Sequence, residues 1–319
     1  MVIETAVDRD LEHGTYADML DRLNGYDDPA VHVRTIDGHL GDDTLVSDLD
    51  GSISYVDLTY AENPDSTIVI TAGRHSPEYG GAEAAVELVG HILASPGMQE
   101  YLKHGEVTIV PAVNVDQYTV PVDERKPVWD PQGNGIIRRW KCDADRNTGH
   151  DTYLADGKAP SYEGQLDYFD QSAVVAMSEP GCLRELPSKF ITRETYAVAR
   201  LLEEKVANGK VLFTADLHET CKPGFSYATL VFDEGLQKTG EAATARVGET
   251  YPVKETALME GSKGTFSAFC TAHGIDTYTL EGSSFDGDGP RPLSERVEQQ
   301  LLALDALLDH YIDTGTEAS

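Results

Sequence analysis

The sequence predicts an α/β fold, a mostly parallel central sheet flanked by helices, and three observations carry that expectation. Four runs have the composition of strands covered on both faces: "STIVITA" (66–72), "EVTIVPAVN" (106–114), "KVLFTADLHE" (210–219) and "IDTYTLEG" (275–282). Helical patterns are interleaved with them. Ala82, Ala85, Val86, Val89, Ile92 and Leu93 make one apolar stripe after the first run, and helical stretches near 192–207 and 264–273 precede the third and fourth. Strands alternating with helices build a parallel sheet wrapped on both sides.

The remaining elements follow in chain order. "GTYADMLDRLN" (14–24) has apolar residues at helical spacing and reads as a short first helix. "AVHVRTI" and "SISYVDLTY" alternate as half-buried strands do. The segment from about 119 to 190 is rich in Pro, Gly, Asp and Tyr and reads as a loop-rich insertion. The last helix, roughly 293–312, carries Val297, Leu301, Leu304 and Leu308 on one side and reads as a packing element. With no internal repeat, one domain over 1–319 is the expectation.

Charge narrows the function classes. The 319 residues carry 55 Asp+Glu against 25 Lys+Arg, a formal net charge of −30. Such a field repels polyphosphate, so nucleic acid is not an expected partner. It also keeps a protein soluble in strong salt, and only 11 residues are Lys, so a salt-adapted source is expected. The first twenty residues show no basic-then-apolar leader, and no stretch has the apolar length of a membrane span. Cys142, Cys182, Cys221 and Cys270 have no paired spacing, as suits free thiols. A cytoplasmic location away from membranes is the resulting expectation.

All four buried-type strands run into a polar, reactive residue at the carboxyl end: His75, Asn114, His218 and Glu281. In open α/β sheets the crevice beyond those ends is where sites form. Within "RHSPEYGG", His75 and Glu78 stand three apart. One reading is a helix start, with Ser76 as N-cap, Pro77 at the first helical position and Glu78 favouring the positive helix end. The other counts His75 and Glu78 with His218: two imidazoles and one carboxylate suffice for a catalytic zinc that keeps a position open for water. Glu281, on a separate strand, can then move that water's proton. A second cluster, "RRWKCDADRN" (138–147), concentrates Arg138, Arg139, Lys141 and Arg146 in an otherwise acidic chain. It fits either a carboxylate-bearing ligand or internal pairing with Asp143 and Asp145.

His-x-x-Glu after a buried strand, an "ADRN" signature, a strand-end "DLH" and a late strand-end Glu before a terminal helix together resemble the zinc carboxypeptidases of the carboxypeptidase A type. Their aspartoacylase and succinylglutamate desuccinylase relatives share that core. The resemblance spans about residues 15–312. It implies a carboxypeptidase-like (phosphorylase/hydrolase-like) fold and one zinc per chain on His75, Glu78 and His218. Glu281 would be the general base, and Arg146, beside Asp145, would grip the substrate's terminal carboxylate. Arg138, with Arg139 as the alternative, would stabilise the oxyanion. Asn114 matches a structural turn.

This chain departs from the pattern at three points. Asp145 stands where the family has Asn; Met259 stands near the position of an expected tyrosine, with Tyr251 displaced from it; and only residues 282–319 follow Glu281, too few for the extra β-domain of the aspartoacylase branch. The implied activity is metal-dependent cleavage of a peptide or amide bond next to a free carboxylate, in a small peptide or acyl-amino-acid substrate. The alternatives are an N-acyl-amino-acid deacylase and, from another class, a non-catalytic carboxylate-binding protein.

Overall fold

A computed structural model describes residues 3–7, 11–47, 51–75, 78–118, 193–220, 226, 228–232, 236–254, 257–258, 266–286 and 289–315. The strands are β1 (Val31–Thr35), β2 (Ser54–Leu58), β3 (Ser66–Ala72), β4 (Gly105–Val110), β5 (Lys210–Thr220), β6 (Thr229–Phe232), β7 (Ala257–Leu258) and β8 (Asp276–Ser283). They form one eight-stranded sheet in the order β1-β2-β4-β3-β5-β8-β6-β7. Its centre, β4-β3-β5-β8, is parallel throughout, while β1, β2 and β6 join antiparallel. The sequence expectation of a largely parallel sheet describes this centre. The short flanking strands β6 and β7 are too brief to show a period of two and were not anticipated.

The helices are α1 (Tyr16–Asn24), α2 (Ile36–Leu40), α3 (Tyr79–Ala94), α4 (Pro96–Tyr101), α5 (Val115–Tyr118), α6 (Arg193–Asn208), α7 (Gln237–Gly248), α8 (Phe266–Ala272) and α9 (Leu293–Gly315). Helix α1 begins where Thr15 and Asp18 exchange side-chain-to-backbone bonds, a reciprocal cap. Helix α3 is buried along nearly its whole circumference, Ala82, Ala84, Ala85, Val86, Leu88, Val89 and Ile92 included, so it runs between the sheet and other helices. Its first residue is Tyr79, with Glu78 at the cap position. The helix thus begins two residues after the start at Pro77 that the sequence offered, while Ser76 and Pro77 themselves lie outside the described residues. The insertion expected at 119–190 lies outside them as well.

Strand β2 corrects one expectation. All five of its residues are buried rather than alternating. The cause is α6, whose Lys205 ammonium reaches down to Asp57 and Glu106, 2.8 Å from each, and lies over the Tyr55 ring. A buried Asp and Glu are tolerable there because the ammonium and Thr108 satisfy them.

Glu83 of α3 is fully buried and ties down the chain before α1. It accepts from Gly14 N at 3.1 Å, meets His13 Nδ1 at 2.6 Å and pairs with Arg22 Nη1. Burial raises its pKa, but His13 and Arg22 more than offset this and hold it below 4.5. A depressed folded pKa gives stability that is present above the unfolded value and lost as pH falls through the folded one. At pH 7, Glu83→Gln is therefore expected to cost about 1–3 kcal/mol. The Tm gap to wild type should close as pH drops below 4.5. A gap that stays constant from pH 7 to pH 3 would show that Glu83 is not charged in the fold.

Candidate metal centre

Strand β3 ends at Ala72, and the chain turns at Gly73, whose φ of +65° suits glycine. A Cβ at Gly73 would lie 2.8 Å from Ala112 Cα, so the β3 and β4 exits pack backbone to backbone. Asn114 N donates to Gly73 O at 3.0 Å, and Asn114 Nδ2 to Arg74 O. Asn114 thus fixes the turn that presents His75, the structural part expected of it.

His75, Glu78 and His218 come together: one ligand atom from each lies within 4.8 Å of the other two. The two imidazole Nδ1 atoms are 3.3 Å apart. Glu78 bridges them, with Oε1 2.9 Å from His75 Nδ1 and Oε2 2.9 Å from His218 Nδ1. The Glu78 carboxylate makes no cap bond to α3; it is turned to the imidazoles instead. Three donors converging this closely, on one side of two nitrogens, fit a small cation. A tetrahedral zinc site with arms of 2.0–2.1 Å has ligand–ligand edges of about 3.3 Å.

The far side of His218 is equally defined. Its Nε2 is 3.0 Å from Asp216 Oδ2, and Asp216 also accepts from Arg74 Nε at 2.7 Å and Thr71 Oγ1 at 2.5 Å. A carboxylate on the outer ring nitrogen selects the tautomer whose Nδ1 lone pair faces the ligand cluster. Arg74 is 1% exposed and lies 4.3 Å from the centre of the Phe266 ring. Burial disfavours charge on every group here, yet the charges sustain one another. Asp216 is held well below the usual carboxylate range, chiefly by Arg74 and His218. Glu78 is lowered to about 2 by the two imidazoles. His218 is raised well above 6.5 by Asp216 and Glu78.

Glu281 stands beside the cluster. Strand β8 runs parallel to β5 in a register that pairs His218 with Glu281, Asp216 with Thr279 and Leu217 with Leu280. Side chains alternate along a strand, so His218 and Glu281 share a face, one strand spacing of about 4.8 Å apart. Glu281 is half-buried and lies outside the ligand group itself.

No protein-family profile matches the chain, and no curated protein matches its sequence. Solved structures do match. One is bovine thrombin-activatable fibrinolysis inhibitor in complex with tick carboxypeptidase inhibitor, with a TM-score of 0.62 and 16% identity over 95% of this chain and 98% of that one. A second is a metallo-carboxypeptidase from Burkholderia cenocepacia, with a TM-score of 0.58 and 16% identity over 94% of this chain and 68% of that one. A third is a metallo-carboxypeptidase from Pseudomonas aeruginosa in complex with (2-guanidinoethylmercapto)succinic acid, with a TM-score of 0.51 and 14% identity over 93% and 68%. The chain has the metallocarboxypeptidase fold.

Within that fold, His75, Glu78, His218 and Glu281 occupy the carboxyl ends of the parallel strands or the turn leaving them, as the sequence predicted. Arg138, Arg139, Asp145 and Arg146 lie outside the described residues. Tyr251, the displaced tyrosine, donates its hydroxyl to Glu298 of α9 and sits under the Arg291 guanidinium, so it serves the packing of the carboxypeptidase fold there. No helix among the described residues is long and apolar enough to cross a membrane. The sequence reading overlooked Asp216, Arg74 and Thr71. The signal for Asp216 was present in "DLH": an Asp two residues before a strand His points to the same face.

Proposed function

We propose that this protein is a zinc-dependent hydrolase that cleaves a peptide or amide bond next to a free carboxylate. The observation that carries the reading is the convergence of His75, Glu78 and His218 on one point, with Glu281 beside them in register on the next strand. A zinc ion held by His75, Glu78 and His218 would act as a Lewis acid towards the scissile carbonyl and acidify the attacking water. The protein's own groups do the rest. The Glu281 carboxylate accepts a proton from the water as its oxygen bonds to the carbonyl carbon. It then delivers that proton to the nitrogen as the C–N bond breaks, giving a carboxylate and an amine. Asp216 holds His218 in the ligating tautomer, and Arg74 keeps Asp216 ionised in a buried setting. Arg146 binds the substrate carboxylate and Arg138, or Arg139, the oxyanion; both roles rest on the sequence resemblance. We further place the activity in one domain of a soluble, cytoplasmic protein.

A second reading, N-acyl-amino-acid deacylation, uses the same metal and base and is favoured by "DLHET" and the compact Arg138-to-Asp145 offset, which look more like the acylase branch. The test has two steps. Elemental analysis is expected to give about one zinc per chain in wild type and none in His75→Ala. A panel of C-terminally free peptides and N-acetyl or N-succinyl amino acids is then expected to show turnover on the peptides. Activity confined to the acyl amino acids would replace the peptidase reading with the deacylase one, and no metal in the wild type after zinc is supplied would end both.

A further inference from the structure

The terminal helix α9 was expected only to pack, yet its first turns put three polar side chains into the interior. Arg296 is 6% exposed, Gln299 2% and Gln300 1%. Each reaches an element that carries a site residue. Gln299 exchanges hydrogen bonds with the backbone of Ser283, just past Glu281. Gln300 Nε2 donates to the His218 carbonyl at 2.6 Å. Gly282 leaves room for that amide, because a Cβ there would lie 2.7 Å from Gln300 Nε2.

Arg296 does more. Its Nε and Nη2 grip both oxygens of Glu219, with Nε to Oε1 at 2.7 Å, and its guanidinium carbon lies 4.3 Å from the centre of the Tyr79 ring. Glu219 directly follows His218, and Tyr79 directly follows Glu78. Glu219 also accepts from Gly80 N at 2.7 Å, at the start of α3. Alternation puts Glu219 on the face of β5 opposite His218, so this linkage lies behind the sheet, away from the ligands. Glycines make the approach feasible. Any Cβ on Gly80 would overlap the Glu219 carboxylate, and one on Gly81 would lie 2.7 Å from Leu217 O.

We propose that Arg296 is a positioning residue that sets the spacing between Glu78 and His218. These two ligands are 140 residues apart in sequence, and each is followed at once by a residue that Arg296 touches. A buried ion pair contributes little net stability compared with apolar packing. A planar fork on a carboxylate does fix distance and angle, and a metal site requires both to a fraction of an ångström. The inference rests on the metal reading above.

The test titrates Co2+ into metal-free protein and follows its visible absorption, for wild type, Arg296→Lys, and the double variant Arg296→Met with Glu219→Gln. Lys keeps the charge and loses the fork. The double variant leaves no charge unpaired and retains an acceptor for Gly80 N, so it is expected to fold even where a single change does not. Leu304→Ala, a core change in the same helix, controls for lost stability. The expected result is Co2+ affinity lower by about 10–100-fold, as when groups that orient metal ligands are removed, with an altered spectrum in the Arg296 variants and a wild-type spectrum in Leu304→Ala. Arg296 variants that match wild type in affinity and spectrum overturn this inference alone. A wild type that binds no Co2+ overturns the metal reading and this inference with it.

Discussion

Glu281→Gln is expected to lower kcat by about 10²–10⁴-fold, the usual contribution of a positioned general base, while the bound metal stays at wild-type stoichiometry. The reasoning starts from register. Glu281 is the β8 partner of His218 and faces the same way, yet it is outside the group of atoms that converge. Replacing its carboxylate by an amide keeps shape and removes the proton acceptor. The ligand set loses nothing, so metal content and the His75-dependent binding remain. The measurement pairs steady-state kinetics on the best substrate of the panel with elemental analysis of the same preparation. Turnover equal to wild type would remove Glu281 from the mechanism and leave the proton to another group. Lost turnover together with lost metal would instead make Glu281 a ligand. A binding protein that had merely kept the fold has no use for a carboxylate at this place, so the same variant also bears on that alternative.

The parts of the site that were legible in the sequence share one property: the signal lies within a few residues of one strand. His75 and Glu78 are three apart at the end of an apolar run, and His218 and Glu281 each close one. Strand ends lie together in a parallel sheet whatever the detailed register, so their convergence could be expected before any distance was known. What escaped depends on which face a side chain takes and what arrives there from far along the chain. Glu83 looks like an ordinary polar position on α3; burial against His13, Gly14 and Arg22 makes it an anchor. Asp57 sits in a strand that reads as alternating, until Lys205 of α6 arrives and buries it. Arg296 falls in an amphipathic pattern that suggests only a polar helix face, and its partner Glu219 is 77 residues away. Long-range charge pairing leaves no periodic trace. The glycines of "YGG" were the one local hint, since close contact between a helix start and a strand requires them.

Asp216→Ala is expected to be the costliest single change near the centre, for both the fold and the metal. Asp216 is 1% exposed and serves three donors from three segments: Thr71 of β3, Arg74 of the following turn and His218 of its own strand. Removing it takes away the counter-charge of a buried guanidinium, which costs about 3–5 kcal/mol when one partner of a buried pair is deleted. It also releases the outer nitrogen of His218, for which a metal-affinity loss of about 10–100-fold is usual. Denaturant unfolding of the metal-free protein measures the first effect, and competition with a chromophoric chelator the second. Asp216→Asn tests the charge alone: its amide oxygen can still accept from one donor, but the counter-charge of Arg74 and the anion on the outer nitrogen of His218 are both gone, so both losses are expected to persist. The sign with pH follows from the same contacts. Burial raises the Asp216 pKa, but Arg74 and His218 drive it well below 3.8, so the carboxylate is ionised wherever the protein is folded and handled. The contribution of its own ionisation is therefore full above pH 3.8 and disappears as pH falls through the folded value. The stability gap between wild type and Asp216→Ala should accordingly narrow in acid as Asp216 is protonated, and narrow also as pH rises above 6.5, where the His218 proton that Asp216 helps to hold is progressively lost. An Asp216→Ala protein with unchanged unfolding free energy and unchanged metal affinity would mean that Arg74 and His218 are held by other groups, and that the buried carboxylate is not what joins the core to the site.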